Sequence, residues 1–300
     1  MRNIIEDTIT QAVVASMREA EDARLRTVMT GLVQHLHSFA REVKLTEDEW
    51  FQAIRFLTAV GHITDDKRQE FILLSDTLGL STLVTAQNNQ KPSGCTESTV
   101  SGPSFVEGAQ EYKSGDDISN GASGETCFVS GRVLGVDGSP IASARIDVWQ
   151  SDEDGLYDVQ RPAEPSLTAE HRARGRLSSA ADGSFCFRSI LAEACPIPHD
   201  GPVGRLLDAL GRHPWRPAHL HFMIAAPGYE RLVTHIFRDG DKYLDSDAVF
   251  GVRSSLIADW VRHEPGVAPD GTSLGDAFYT LQYDFVLNPD RDTYRSPRKR

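Results

Sequence analysis

The sequence is poor in cysteine, has no excess of basic charge and contains no long apolar run. No stretch of about 18 consecutive apolar residues occurs, so no membrane-spanning helix is expected. The four cysteines (Cys95, Cys127, Cys186, Cys195) form no CxxC pair. That spacing predicts free thiols in a reducing cytoplasm rather than a disulfide framework. Lys and Arg number 31 against 43 Asp and Glu, a net charge of −12. Nucleic acid and anionic membrane both demand a positive footprint, so neither is expected as a main partner. The basic last six residues, RSPRKR, read as a solvated end. The N-terminal MRNIIEDTITQAVVASM has early acids and no apolar signal core, which predicts a cytoplasmic protein.

What is present suffices for a packed interior. Of 300 residues, 40% are hydrophobic, enough to bury a core without covalent staples. The first third has helical periodicity. Leu25, Val28, Met29, Leu32, Val33 and Leu36 form one apolar stripe at 3.6-residue spacing. Ile9, Val13 and Met17 suggest an earlier helix, and Phe71, Leu74 and Leu78 a later one before Gly79. Thr46 followed by Glu49 is a capping-box signature opening a helix with Trp50, Ile54 and Leu57. Residues 86–126 are rich in Asn, Gly, Ser, Thr and Pro and read as a long irregular connection, a kind of loop that is often functional.

Beyond about residue 126 the period falls to two. Ile146 and Val148 alternate with Asp147 and Trp149, and Phe185 and Phe187 follow an Asp-Gly turn. Leu220, Phe222 and Ile224 alternate with His219, His221 and Met223, and Tyr279 to Leu287 holds one face over nine residues. Short strands between Gly, Pro and Asp turns predict a β-sandwich. The expected fold class is α+β, with a helical region and linker over 1–110 and a β-sandwich domain over 111–300.

The sharpest chemical feature is His219-Leu220-His221. On a strand, residues i and i+2 share a face, so the imidazoles stand side by side as a ready chelate. Two satisfied histidines on a solvated face would look the same. Cupins, carbonic anhydrases and amidohydrolases also use this spacing, so a zinc enzyme or a cupin-like binding protein stays open. Tyr157, after a strand and a turn, is by itself an ordinary core or corner residue. Arg216 could offset negative charge beside the histidines or make a surface salt bridge.

Together these residues resemble the intradiol ring-cleavage dioxygenase family. From Val129 to Tyr157 the chain reads V-S-G-R-V, Gly138, Ile141, I-D-V and G-L-Y, and GRHPWRPAHLHF follows. DKRQEFILLSDTLG, KPSGCTESTVSGP and YLDSDAVFGVRSSL extend the likeness over nearly the whole chain, most nearly that of the hydroxyquinol branch. The resemblance implies a non-haem Fe(III) enzyme of aromatic catabolism. It would cleave hydroxyquinol or a related catechol with O2, between the two hydroxylated carbons, to a muconate- or maleylacetate-type product. Tyr157, His219 and His221 would be metal ligands, and Arg216 a catalytic residue stabilising charge on the substrate. Thr85, Gly102, Pro103, Ser104 and Ile197 would line the substrate pocket. His235 falls at a position near the site, with no assigned role. A homodimer through the N-terminal helices, sometimes with a lipid between them, is implied too.

The chain departs from the family pattern at one ligand. The second Tyr lies 24 residues before the first His of the pair, and here that residue is Cys195. A Tyr oxygen reaches about 6.5 Å from its Cα and a Cys sulfur about 2.8 Å, so Cys195 is expected to be a small buried hydrophobe rather than a ligand. Thr85 stands where an acid is common in this branch, and Ser104 where an aromatic is common. These departures motivate an alternative: a diverged paralogue with altered substrate or little activity.

Overall fold

The computed structural model describes residues 4–65, 68–102, 104–161 and 171–290. Pro103 and the basic tail therefore lie outside the described residues. The chain divides into two compact units, residues 1–63 and 64–300.

The first unit holds α1 (Glu6–Ser16), α2 (Ala23–Glu42) and α3 (Glu47–Ile63). Asp22 caps α2 by accepting from the backbone N–H groups of Arg24 and Leu25. The capping box opening α3 forms as the sequence predicts: Glu49 accepts from the Thr46 N–H and Thr46 Oγ1 from the Glu49 N–H. Within this unit α1 lies against α2, with Arg41 donating to the Glu6 carbonyl and to Thr10 Oγ1. Leu25, Val28, Leu32, Leu36 and Phe39 on α2 are exposed.

The second unit begins with α4 (Glu70–Thr77) and α5 (Leu80–Asn88), separated by Gly79 in the left-handed region. Then come β1 (Thr126–Gly135), β2 (Arg145–Gln150), β3 (Arg174–Ser178), β4 (Ser184–Ile190) and β5 (Cys195–Pro196). After α6 (Pro202–Ala209) follow β6 (Trp215–Arg216), β7 (His219–Ala225), β8 (Leu232–Arg238), β9 (Ile257–Ala258) and β10 (Trp260–His263). Last are β11 (Gly266–Val267), β12 (Ser273–Leu274), β13 (Phe278–Gln282) and β14 (Phe285–Leu287). The nine residues read as one strand near the end are thus two. The break falls where the Asp284 side chain accepts from the Arg132 backbone and guanidinium.

Two five-stranded sheets make the sandwich. One has the order β3-β2-β7-β8-β9; the other runs β10-β13-β1-β14, with β4 also paired to β1. Ile146, Val148, Leu220, Phe222 and Ile224 from the first sheet share one core with Val129, Val133, Phe185, Phe187, Leu281 and Phe285 from the second. Every residue of β7 but the last is buried, so its other face is covered as well. That second face carries His219, His221 and Met223, and it is where the candidate site lies.

Candidate metal centre

Strand pairing brings the site together. β7 lies between β2 and β8, with Trp149 opposite His221 on one side and His235 opposite His221 on the other. Directly paired residues share a face, so Trp149, His221 and His235 point the same way. Trp149 stacks on the His221 ring at 4.7 Å with 12° between planes. Tyr157 arrives from the turn after β2. Asp152 Oδ1 accepts from the backbone of Asp154 and Leu156, and Gly155 turns with φ +75°. A Cβ on Gly155 would stand 2.6 Å from the Ala194 carbonyl, so only glycine lets this turn press against the Cys195 segment. Gln160 Oε1 then accepts from the Tyr157 N–H and holds the residue in place.

Tyr157 Oη lies 2.7 Å from His221 Nε2 and 3.3 Å from His219 Nε2, and the two imidazole nitrogens are 3.0 Å apart. His219 Nδ1 donates to the Pro217 carbonyl at 2.7 Å, so its Nε2 carries a lone pair. Donors bound to one first-row metal at about 2.1 Å and near-right angles stand about 3.0 Å apart. The convergence therefore has the dimensions of a metal-binding face, and the second nitrogen of His219 is already committed to a backbone oxygen as such ligands require. The donor set, a phenol oxygen with imidazoles, suits a hard ferric ion.

Burial sets the protonation of this cluster. All three histidines are fully enclosed, which drives them toward the neutral form; the positive Arg216 adds to the effect. For His219 the value falls to about 3. Burial likewise raises Tyr157 well above its ordinary range, and a neighbouring charge on Cys195 would add to that, while Arg216 pulls the other way. A bound cation would be needed to make this phenol a phenolate at neutral pH.

Arg216 is no surface residue. It is 3% exposed, and its Nε donates to Asp247 Oδ1 at 3.1 Å while Nη1 lies 3.3 Å from His219 Nε2. Burial opposes its charge, but Asp247 more than restores it. Asp247 is itself fixed by the N–H groups of Val249 and Gly251. Cys195 is 3% exposed, with Sγ 3.9 Å from Tyr157 Oη, in an apolar cluster with Trp149, Tyr157 and Met223. Burial pushes its thiol pKa up, despite the pull of Arg216.

The remaining sequence-predicted residues are placed unevenly. Gly102 (φ +67°) passes so close that an added Cβ would stand 2.7 Å from His221 Cε1 and 3.6 Å from His235 Nε2. Ser104, at φ +73°, gives its carbonyl to Arg174 Nη1 at 2.7 Å. Arg174 is also paired through two nitrogens to Asp158, the residue after Tyr157. Ser104 and the Tyr157 turn thus share one guanidinium. Ile197 packs in a neighbouring cluster with Leu207, Ala248 and Val249. Thr85 is half-buried on α5, one turn beyond the Thr82 hydroxyl that donates to the Val249 carbonyl.

Sequence reasoning left His235 without a role and missed Asp247, Asp158 and Arg174. His235 stands in an alternating strand sequence, LVTHIF, which marks its side of the strand but not what it faces. Among the described residues, His219, His221 and His235 form a three-histidine group whose ligand atoms lie within 4.8 Å of one another.

The chain is similar to known proteins over nearly its whole length. Residues 100–289 match the family profile described as Dioxygenase, and 22–96 that described as Catechol dioxygenase N terminus. The chain is 60% identical over 289 residues to the 6-chlorohydroxyquinol 1,2-dioxygenase of Cupriavidus pinatubonensis, covering 96% of this chain and 99% of that protein. It is 49% identical over 285 residues to the hydroxyquinol 1,2-dioxygenase of Nocardioides simplex, covering 95% and 96%. The solved structure of hydroxyquinol 1,2-dioxygenase from Pseudomonas putida DLL-E4 superposes with a TM-score of 0.88 at 45% identity, covering 95% of this chain and 99% of that one.

Proposed function

The chain belongs to the intradiol ring-cleavage dioxygenase family, and from that membership we propose that it cleaves hydroxyquinol or a related catechol with O2, using iron held by Tyr157, His219 and His221. It is an oxidoreductase, and its relatives of 49–60% identity are named for hydroxyquinol and 6-chlorohydroxyquinol. The observation that carries the metal reading is the convergence of Tyr157 Oη and the two Nε2 atoms within 3.3 Å of one another.

Ferric iron, when bound, supplies the Lewis acidity and electron-accepting power that ready a vicinal diol for O2. The chain's own residues do the rest. Arg216, kept charged by Asp247, stabilises negative charge on a deprotonated diol. Gly102, having no side chain, lets its segment pack against the His221 ring without displacing it. The assignment of Thr85, Gly102, Pro103, Ser104 and Ile197 to the substrate's surroundings rests on family membership, and Arg174 holds Ser104 through its carbonyl. The ring-opened product is a diacid of the muconate or maleylacetate type.

Cys195 supports a second reading, a paralogue of low or altered activity. A buried thiol with a raised pKa is a poor substitute for a phenolate that takes a diol proton. Proton acceptors of this kind contribute about 10²–10⁴-fold. Purified, iron-loaded protein given 1,2,4-trihydroxybenzene should consume O2 and release the ring-opened acid. Cys195→Tyr should raise the rate by about 10²-fold or more if the acceptor limits it. Absence of O2 uptake in both proteins would defeat the dioxygenase proposal.

A second copy of the chain is the partner proposed for α2, whose apolar stripe is exposed. An unpaired face of this kind is commonly covered by its symmetry mate. Sedimentation should give a dimer; a monomer at micromolar concentration would count against it.

A further inference from the structure

We propose that His235 is a fourth protein donor of the iron centre, so that three imidazoles and one phenol hold the ion while Cys195 stays a thiol. The inference rests on the assignment of Tyr157, His219 and His221 above.

His235 is directly opposite His221 in the β7–β8 ladder and is fully buried. Its ring centroid lies 4.2 Å from that of His221 and 4.9 Å from that of His219. Nδ1 is anchored 2.9 Å from the Thr99 hydroxyl. Thr99 Oγ1 can accept from Nδ1–H, the tautomer that leaves a lone pair on Nε2. Among the described residues Nε2 itself is buried with no hydrogen-bond partner. A buried imidazole nitrogen is costly to leave unmatched, so a partner is called for. The side of Nε2 nearest the chain is taken by Gly102, which lacks the Cβ that would crowd it.

The three histidines each offer a ligand atom within 4.8 Å of the others. Nitrogens sharing one ion at about 2.1 Å stand at most about 4.2 Å apart. The group exceeds that span by about 0.6 Å at most. Imidazole also suits iron without the loss of a proton, whereas Cys195 would have to give one up inside an apolar cluster. Cys195 has a neighbour for its sulfur in Tyr157 Oη, while His235 Nε2 has no hydrogen-bond partner among the described residues. Exchanging an anionic phenolate for a neutral imidazole leaves the ion one charge more positive. The ferrous state then gains relative to the ferric.

The test uses the full chain loaded with iron. Iron retention against a chelator, the visible phenolate-to-iron absorption and the imidazole count from X-ray absorption are compared across four proteins: native, His235→Gln, Cys195→Ala and Cys195→Tyr/His235→Gln. The native protein should show three imidazoles and a band from Tyr157. His235→Gln should show two imidazoles and weaken iron retention beyond the roughly 10–100-fold expected for loss of a ligand's outer partner. Cys195→Ala should keep iron and band. The double variant, with a phenol restored, should recover retention that His235→Gln lacks. Two imidazoles in the native protein, or loss of iron in Cys195→Ala, overturns the proposal while a surviving phenolate band leaves the dioxygenase reading standing. No iron and no band in any of the four overturns both.

Discussion

At the scale of single residues, the site depends on a missing side chain as much as on those present. Gly102 combines a left-handed backbone with a 2.7 Å approach to His221 Cε1. Alanine there meets both penalties at once: a disfavoured φ, and a collision with a ring that cannot retreat because Trp149 stacks on it. Gly102→Ala should lower stability by about 1–3 kcal/mol and loosen iron binding together. Thermal denaturation and iron retention measure the two effects, and an alanine variant matching the native protein in both would contradict this account. Arg174 shows the opposite strategy. Its three nitrogens fix the residue after Tyr157 and the carbonyl of Ser104, so two otherwise separate loops keep one spacing.

At the scale of elements, what the sequence discloses follows from the reach of each signal. The His219–Leu220–His221 alternation is a period-two pattern within one strand, and the structure sets both imidazoles on the face away from the core. The Thr46–Glu49 box is three residues long and equally legible. His235 meets His221 only through the register of β7 with β8, fixed by the connection between them and invisible in either strand alone. Asp247 reaches Arg216 from 31 residues away, and Thr99 reaches His235 from 136. The polar 86–126 stretch is legible as a connection from its composition. Its destination is not, because nothing local says that Thr99 and Gly102 end against the histidines. The split of the last apolar face into β13 and β14 escaped for the same reason: Asp284 answers to Arg132, 152 residues earlier.

At the scale of the whole molecule, enclosing three histidines ties folding to pH. Each is held below the ordinary 6.5 by burial first and by Arg216 or a neighbouring imidazole next. The fold therefore keeps them neutral, while the unfolded chain protonates them as pH falls through about 6.5. More protons on the unfolded side means stability drops with falling pH. The contribution is complete above 6.5 and is lost progressively below it, toward about 3 for His219. Each histidine adds a slope of up to about 1.4 kcal/mol per pH unit in that window. Urea denaturation of the metal-free protein at pH 7.5 and 5.5 should show the loss. Equal stability at both would argue against three neutral buried imidazoles.

The parity of β7 has a longer reach. Leu220, Phe222 and Ile224 bind the two sheets together, while His219, His221 and Met223 belong to the other layer. Ile146 and Val148 stand in the same relation to Asp147 and Trp149 on β2. Heredity can therefore edit the chemistry of this protein one codon at a time without renegotiating its architecture. A lineage that trades one donor for another on that layer leaves the apolar residues that join the sheets as they are.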